Sequence, residues 1–199
     1  LCLSLAAEAL ANDEPVVWID CEDTFKPRRL KEIMLARELA TEENVDEKLA
    51  NVKYFYTPNT EQLLGTVDSL SKLMLEIHPR IVILDGAIGQ FREEYLGRGT
   101  LSERQNQIAR LMTHIKNISF YFRCVVLFTN QVQSDPSVMF GDPIKPIGGN
   151  IVAHASTYRV YLKKSGKKRI ARMIDSPEHE QKDAAYQLTV KGIEDAEKA

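Results

Sequence analysis

The chain has 199 residues, enough for one domain of ordinary size with a sizeable core. Hydrophobic residues make up 44% and charged residues 27%, the proportions of a soluble globular protein. A net charge of −2 offers no global basic field, so any binding of nucleic acid must come from a few placed arginines.

In chain order, Leu1 to Leu10 has helical spacing and good helix formers but no preceding cap, as if a helix were entered part-way along. Pro15 to Asp20 is a buried-strand candidate that runs into the acidic cluster Asp20, Glu22 and Asp23. Phe25-Lys-Pro-Arg-Arg-Leu30 then leads into a helix with Leu30, Ile33, Met34 and Leu39 on one side. Val52 to Tyr56 is a second strand, closed by Pro58. Asn59 is an N-cap candidate with Gln62 three residues on, close to a capping box. Leu63, Leu64, Val67, Leu70, Leu73, Met74 and Ile77 form an apolar stripe at helical spacing, read as a sheet-facing core rather than a partner groove.

Arg80-Ile-Val-Ile-Leu-Asp-Gly86 is the stretch around which the chain is organised. Its unbroken branched apolar run predicts a strand buried on both faces of a parallel sheet. Asp85 stands where that strand emerges, at the edge where open α/β sheets hold ligands. A glycine- and arginine-bearing loop follows from Gly86 to Leu101, with Arg92 and Arg98 in it. Ser102 is the expected cap of the next helix, Arg104 lies at its start, and its stripe is Ile108, Leu111, Met112, Ile115, Ile118 and Phe122.

Cys124 to Thr129 is a further buried strand, ending in Asn130-Gln131. Residues 132–146 are polar and aperiodic, a long loop of the kind that carries function. Gly148-Gly149 opens the segment from Asn150 to Ser156. Thr157 to Lys163, Arg169 to Asp175 and Ala185 to Val190 read as late antiparallel strands, and the tail from Glu194 as charged and frayed. The alternation predicts an α/β fold with a mixed, mostly parallel sheet, in a single domain spanning 1–199. The 3 cysteines, Cys2, Cys21 and Cys124, are scattered in apolar contexts and read as small core residues of a reducing compartment. No apolar run approaches the ~20 residues of a membrane span and no signal-peptide pattern is present, which points to the cytoplasm, or the nucleus in a eukaryote.

Glu22, Asp85 and Gln131 each follow a strand, so in a parallel sheet they line up along one edge. A carboxylate that orients water, a metal carboxylate and a neutral amide suit nucleotide hydrolysis. Each alone is an ordinary surface residue at a strand end; the three together beside an arginine loop favour a site.

Trp18-Ile-Asp-Cys-Glu-Asp-Thr-Phe-Lys-Pro-Arg-Arg-Leu30, Tyr95-Leu-Gly-Arg-Gly-Thr-Leu-Ser-Glu-Arg-Gln105 and Thr129-Asn-Gln-Val132 resemble the archaeal RadA recombinases. So do the run from Phe140 to Ser156, Arg159-Val-Tyr-Leu-Lys163 and the run from Arg169 to Pro177. These belong to the RecA-like strand-exchange ATPases, and the resemblance covers nearly the whole chain in order. It implies a RecA-like ATPase core with a mostly parallel central sheet flanked by helices, followed by C-terminal antiparallel strands. The implied activity is ATP-dependent homologous pairing and strand exchange in DNA repair and recombination, with ATP and Mg²⁺ as cofactors. The implied partners are single- and double-stranded DNA, other copies of the chain in a filament or ring, and recombination mediator proteins.

By the same resemblance Glu22 polarises the attacking water, Arg29 stacks on the adenine, and Asp85 is the Walker B carboxylate that holds Mg²⁺ through water. Gln131 senses the γ-phosphate, His154 relays its state between subunits, and Asp175 belongs to a cap over the neighbour's nucleotide. Arg92 and Arg98 in the first loop, Arg104 at the start of the helix after it, and Gly148 and Gly149 after the second loop are the implied DNA contacts. Pairing of the arginines with Glu93, Glu94 and Glu103 on the surface is the alternative.

Several features depart from the family. No G-x-x-x-x-G-K-[ST] phosphate loop occurs in these residues. The chain therefore reads as the C-terminal two-thirds of a recombinase ATPase domain, truncated just after that loop and lacking the N-terminal domain, and is not expected to bind ATP tightly alone. Gly86 replaces a small hydroxyl residue, Asp135 a basic one, and Glu178-His179-Glu180 a Leu-Pro pattern. The rival reading is a non-hydrolysing paralogue or fragment that serves as a DNA- or protein-binding module.

Overall fold

The computed structural model describes residues 1–97, 99–134, 144–166 and 168–196. The elements in order are α1 Cys2–Ala11, β1 Val16–Asp20, α2 Pro27–Ala36, α3 Val45–Leu49, β2 Val52–Tyr56, α4 Thr60–Ile77 and β3 Ile81–Asp85. They continue with α5 Gly89–Glu94, α6 Leu101–Phe122, β4 Val125–Phe128, β5 Val132–Ser134, β6 Ile144–Pro146 and α7 Gly149–Ala155. The chain ends in β7 Arg159–Ser165, β8 Lys168–Asp175, β9 Asp183–Thr189 and β10 Gly192–Asp195. They cluster into two compact units: Asp13–Phe25 with Ala50–Ala155, and Leu1–Asn12 with Lys26–Leu49 and the chain from Ser156.

The first unit is built on a parallel sheet in the order β2-β1-β3-β4. β1 lies between β2 and β3, with Asp20 level with both Tyr56 and Asp85, so the carboxyl ends of these strands share one edge. Val17, Ile19, Val82 and Leu84 point to one face and pack in a single core with Leu63, Leu70 and Met74 of α4 and Leu111 and Ile115 of α6. Val16, Trp18, Ile81 and Ile83 on the opposite face are buried too, which is why β1 and β3 read as unbroken apolar runs. Each such aliphatic side chain contributes ~1.5–3 kcal/mol on burial.

Local signals hold at the helix ends they specify best. The Asn59 side chain accepts from the Gln62 N–H at 2.8 Å and starts α4. Asp68 on α4 binds Arg110 and, at 2.6 Å, His114 Nδ1, tying α4 to α6. Ser102 is not the cap of α6. The helix starts at Leu101 after Thr100, whose hydroxyl turns back to the carbonyls of Leu96 and Gly97. The first loop contains a helix, α5, because Phe91 is an apolar anchor: it is fully buried and stacks on Tyr95. Part of the second loop pairs as the ribbon β5–β6, and Gly149–Ala155 is helical.

In the second unit the late strands form an antiparallel sheet of their own, ordered β10-β9-β8-β7, instead of joining a mixed sheet. Consecutive hairpin pairing accounts for this, since each strand finds its sequence neighbour first. The tail from Glu194 is partly strand, because β10 is held by Arg37. The Arg37 guanidinium donates to the carbonyls of Lys191 and Ile193 at 2.6 and 2.8 Å and to Glu8 at 2.8 Å. Pro27 occupies the first position of α2, where its missing N–H costs nothing. Cys21 and Cys124 are buried free thiols, and no helix among the described residues is long and apolar enough to cross a membrane.

Candidate functional site

The parallel register places the ends of β1, β3 and β4 side by side, and the segments that leave them carry the expected groups. Gln131 Nε2 donates to Glu22 Oε1 at 2.9 Å, bringing together two residues 109 positions apart. Both are exposed, so the pair faces solvent. Asp85 lies beside them in a frame of hydroxyls: Thr129 Oγ1 donates to its Oδ1 at 2.8 Å and Thr24 Oγ1 to its Oδ2 at 3.2 Å. The Thr129 hydroxyl in turn accepts the Gly86 N–H at 2.7 Å.

Gly86 explains how Glu22 comes so close. Its φ of +89° is one that side-chain-bearing residues rarely adopt, and a Cβ there would stand 2.7 Å from Glu22 Oε1 and 2.8 Å from its Cγ. Gly89 Cα faces the same pair, with a Cβ position 3.5 Å from Gln131 Nε2. Two glycines thus form the floor on which the Glu22–Gln131 contact rests.

Several groups that support this edge are not evident in the sequence. Asp20, wholly buried, accepts the N–H groups of Glu22, Thr24 and Phe25 and the hydroxyl of Tyr54. Gln90, at the start of α5, donates to the carbonyls of Cys21 and Thr57 and ties that helix to the ends of β1 and β2. The signals for them are faint: an Asp at the end of an apolar strand with a short polar turn after it, and hydroxyls at Thr24 and Thr129. Burial pushes the Cys21 thiol up to about 11, with the nearby carboxylates adding to the shift. Desolvation first, and then the Asp20 carboxylate, push the Tyr54 phenol up to about 12.

The other expected residues lie as follows. Arg92 on α5 is exposed and Arg104 lies in the first turn of α6; neither has an ion pair among the described residues, and Glu94 is instead taken by the N–H and hydroxyl of Thr60. Arg98 lies outside the described residues, as does Asp135. Gly148 and Gly149 both have positive φ, and a Cβ on Gly148 would run into Val152. His154 is exposed on α7. In the second unit the Arg29 guanidinium donates to the Thr189 carbonyl and pairs with Glu32 at 3.1 Å, and Asp175 pairs with Arg159 at 2.9 Å.

Asp85 fits a magnesium ion held through water. It offers hard carboxylate oxygens whose threonine bonds leave further lone pairs free.

An open parallel sheet whose carboxyl edge gathers a carboxylate, an amide and a hydroxyl-framed aspartate defines an α/β protein with a ligand site at its strand ends. Residues 1–196 match the Rad51 family, and the chain belongs to it. It is 40% identical over 183 residues to the DNA repair and recombination protein RadA of Cenarchaeum symbiosum, covering 92% of this chain and 45% of that protein. The protein of the same name from Methanocorpusculum labreanum is 39% identical over 189 residues, covering 89% of this chain and 57% of the relative. The chain thus spans about half the length of these curated relatives.

Proposed function

We propose that this chain is the hydrolytic part of a recombinase that pairs and exchanges homologous DNA strands as an ATP-loaded filament on single-stranded DNA. The observation that carries the reading is the Glu22–Gln131 contact at the sheet edge beside Asp85. In this reading Glu22 holds the attacking water by accepting a hydrogen bond from it, while Gln131, a neutral amide, reports the terminal phosphate by exchanging its partner. Asp85 would hold Mg²⁺ through water. Bound Mg·ATP supplies the phosphoryl group and the neutralisation of its charge.

Arg29 is the proposed adenine contact, and its donation to Thr189 and Glu32 keeps the guanidinium plane set. His154 and Asp175 would carry the signal to and from a neighbouring copy. Arg92 and Arg104, with Arg98 between them, are the proposed phosphate contacts of the first DNA loop, with Gly148 and Gly149 behind the second. Gln90, itself in the first helix of that loop, donates to the Cys21 carbonyl at the start of the Glu22 turn, so occupancy of the hydrolytic edge has a direct path to the DNA grip.

The test uses the full-length protein. Arg92→Ala and Arg104→Ala should each weaken single-strand binding, reduce the log–log salt slope by about 1 and lower strand exchange. Unchanged slopes would refute the loop assignment. Strand exchange without any ATP turnover would favour the non-hydrolysing binding module instead.

A further inference from the structure

Asp20 ends β1 and is fully buried, yet it carries a carboxyl group. Burying such a group is costly unless its oxygens are satisfied, and here they are satisfied from one short turn and one neighbouring strand. Oδ1 accepts the N–H groups of Glu22 at 3.1 Å and Thr24 at 3.2 Å. Oδ2 accepts the Phe25 N–H at 2.9 Å and the Tyr54 hydroxyl at 3.2 Å. The turn from Cys21 to Phe25 therefore wraps around a single side chain, with Asp23 bent to a φ of +55° to do so.

Other contacts fix the same turn at its two ends. The Cys21 N–H donates to the Asp85 carbonyl at 3.0 Å, and the Cys21 carbonyl accepts from Gln90. The Phe25 ring lies 4.6 Å from Trp18 and 5.3 Å from Tyr54, centroid to centroid. Between those ends stand Glu22, whose carboxylate meets Gln131, and Thr24, whose hydroxyl meets Asp85. Both of these residues have their own N–H on Asp20 Oδ1. One oxygen atom thus sets the backbone of two side chains of the hydrolytic edge.

We propose that Asp20 is a positioning residue for ATP hydrolysis, fixing through its Oδ1 the Glu22 carboxylate and the Thr24 hydroxyl; this rests on the reading of Glu22 as the water-holding group. The chemistry requires a carboxylate. All four bonds come from donors, so an amide at this place would turn an NH₂ group towards two of them. An apolar residue would leave all four unpaired. Tyr54 belongs to the same device, and its phenol is disfavoured from losing its proton by its surroundings, so it remains a donor.

The test measures single-strand-stimulated ATP turnover, KM for ATP, thermal midpoint and amide exchange at Glu22 and Thr24 in the full-length protein. The variants are Asp20→Asn, Tyr54→Phe, Glu22→Gln and the two doubles with Glu22→Gln. Asp20→Asn should lower kcat by about 30- to 100-fold while KM for ATP stays within about threefold, because Glu22 is displaced whereas Asp85 keeps its Thr129 bond even if that of Thr24 loosens. Amide exchange at Glu22 and Thr24 should speed up. In the Glu22→Gln background Asp20→Asn should change kcat by less than about twofold, since the two act as one unit.

A wild-type kcat in Asp20→Asn, or the same factor lost in both backgrounds, overturns the proposal while leaving Glu22 in place. Wild-type turnover in Glu22→Gln overturns the reading of Glu22, and the role of Asp20 falls with it. If Asp20→Asn does not fold, Tyr54→Phe decides. It should lower kcat a few-fold at constant KM and be silent with Glu22→Gln; no effect on kcat overturns the proposal.

Discussion

Gly86→Ala concentrates the geometry of the site into one methyl group. The substitution forces a β-carbon onto a residue at φ +89°, 2.7 Å from Glu22 Oε1 and 2.8 Å from its Cγ. The backbone strain is worth about 1–2 kcal/mol. Carbon contacts settle at ~3.5–4.0 Å, so the Glu22 side chain must retreat by on the order of half an ångström or more. That retreat breaks its 2.9 Å contact with Gln131. Misplacement on the order of 1 Å costs about 10²-fold in rate, so kcat for single-strand-stimulated ATP hydrolysis by the full-length protein should drop by roughly 10- to 100-fold. KM for ATP should hardly move, because the methyl group touches Glu22 and not the proposed nucleotide contacts. Steady-state kinetics and a thermal melt on the same preparation measure both effects. A Gly86→Ala protein with wild-type kcat would show that the position of Glu22 does not set turnover.

Further outcomes follow from other residues. Gly65 lies in the interior of α4, and a Cβ there would meet nothing within 4 Å, so Gly65→Ala should stabilise the protein by about 0.5–1 kcal/mol and leave turnover unchanged. Leu84→Ala, at a fully buried position of β3, should destabilise by about 2–5 kcal/mol in denaturant titrations. The Arg172 guanidinium, donating to both carboxyl oxygens of Asp183, holds that carboxyl below its usual value of 3.8. A depressed folded-state value means that the contribution to stability is present above pH ~4 and lost as pH falls through the folded value. Asp183→Asn should therefore flatten the acid side of the stability profile below about pH 4, and an unaltered profile would contradict the pairing. Burial raises the thiols of Cys21 and Cys124, so both should resist alkylation at about pH 8 in the native protein and react on unfolding; mass spectrometry after a short iodoacetamide pulse reads this directly.

What could be read from the sequence was what depends on neighbours in the chain. Unbroken apolar runs located β1, β3 and β4, helical stripes located α4 and α6, and Asn59 marked its helix start, because periodicity and capping are local properties. The grouping of Glu22, Asp85 and Gln131 was legible for a related reason: in a parallel sheet every strand end points the same way. What was missed depends on tertiary partners. Phe91 makes a helix out of a glycine-rich segment only because a core is present to receive it. Val132 to Ser134 becomes a strand only by pairing with Ile144 to Pro146. Arg37 orders the end of the chain through carbonyls more than 150 positions away. Asp20 reads in the sequence as one more acid in a surface cluster, and its full burial and four donors are set by the fold. Gly86, a departure from the family pattern, gains a physical reason once the Glu22 carboxylate is seen to lie where its side chain would be.

The most direct measurement is ATP hydrolysis by full-length Glu22→Gln assembled on single-stranded DNA. ATP-dependent DNA binding and its salt slope should match the wild type, while turnover falls by about 10²-fold or more, the loss expected when the group that handles the attacking water is removed. Turnover within about threefold of wild type would contradict the assignment of the hydrolytic edge to Glu22 and Gln131.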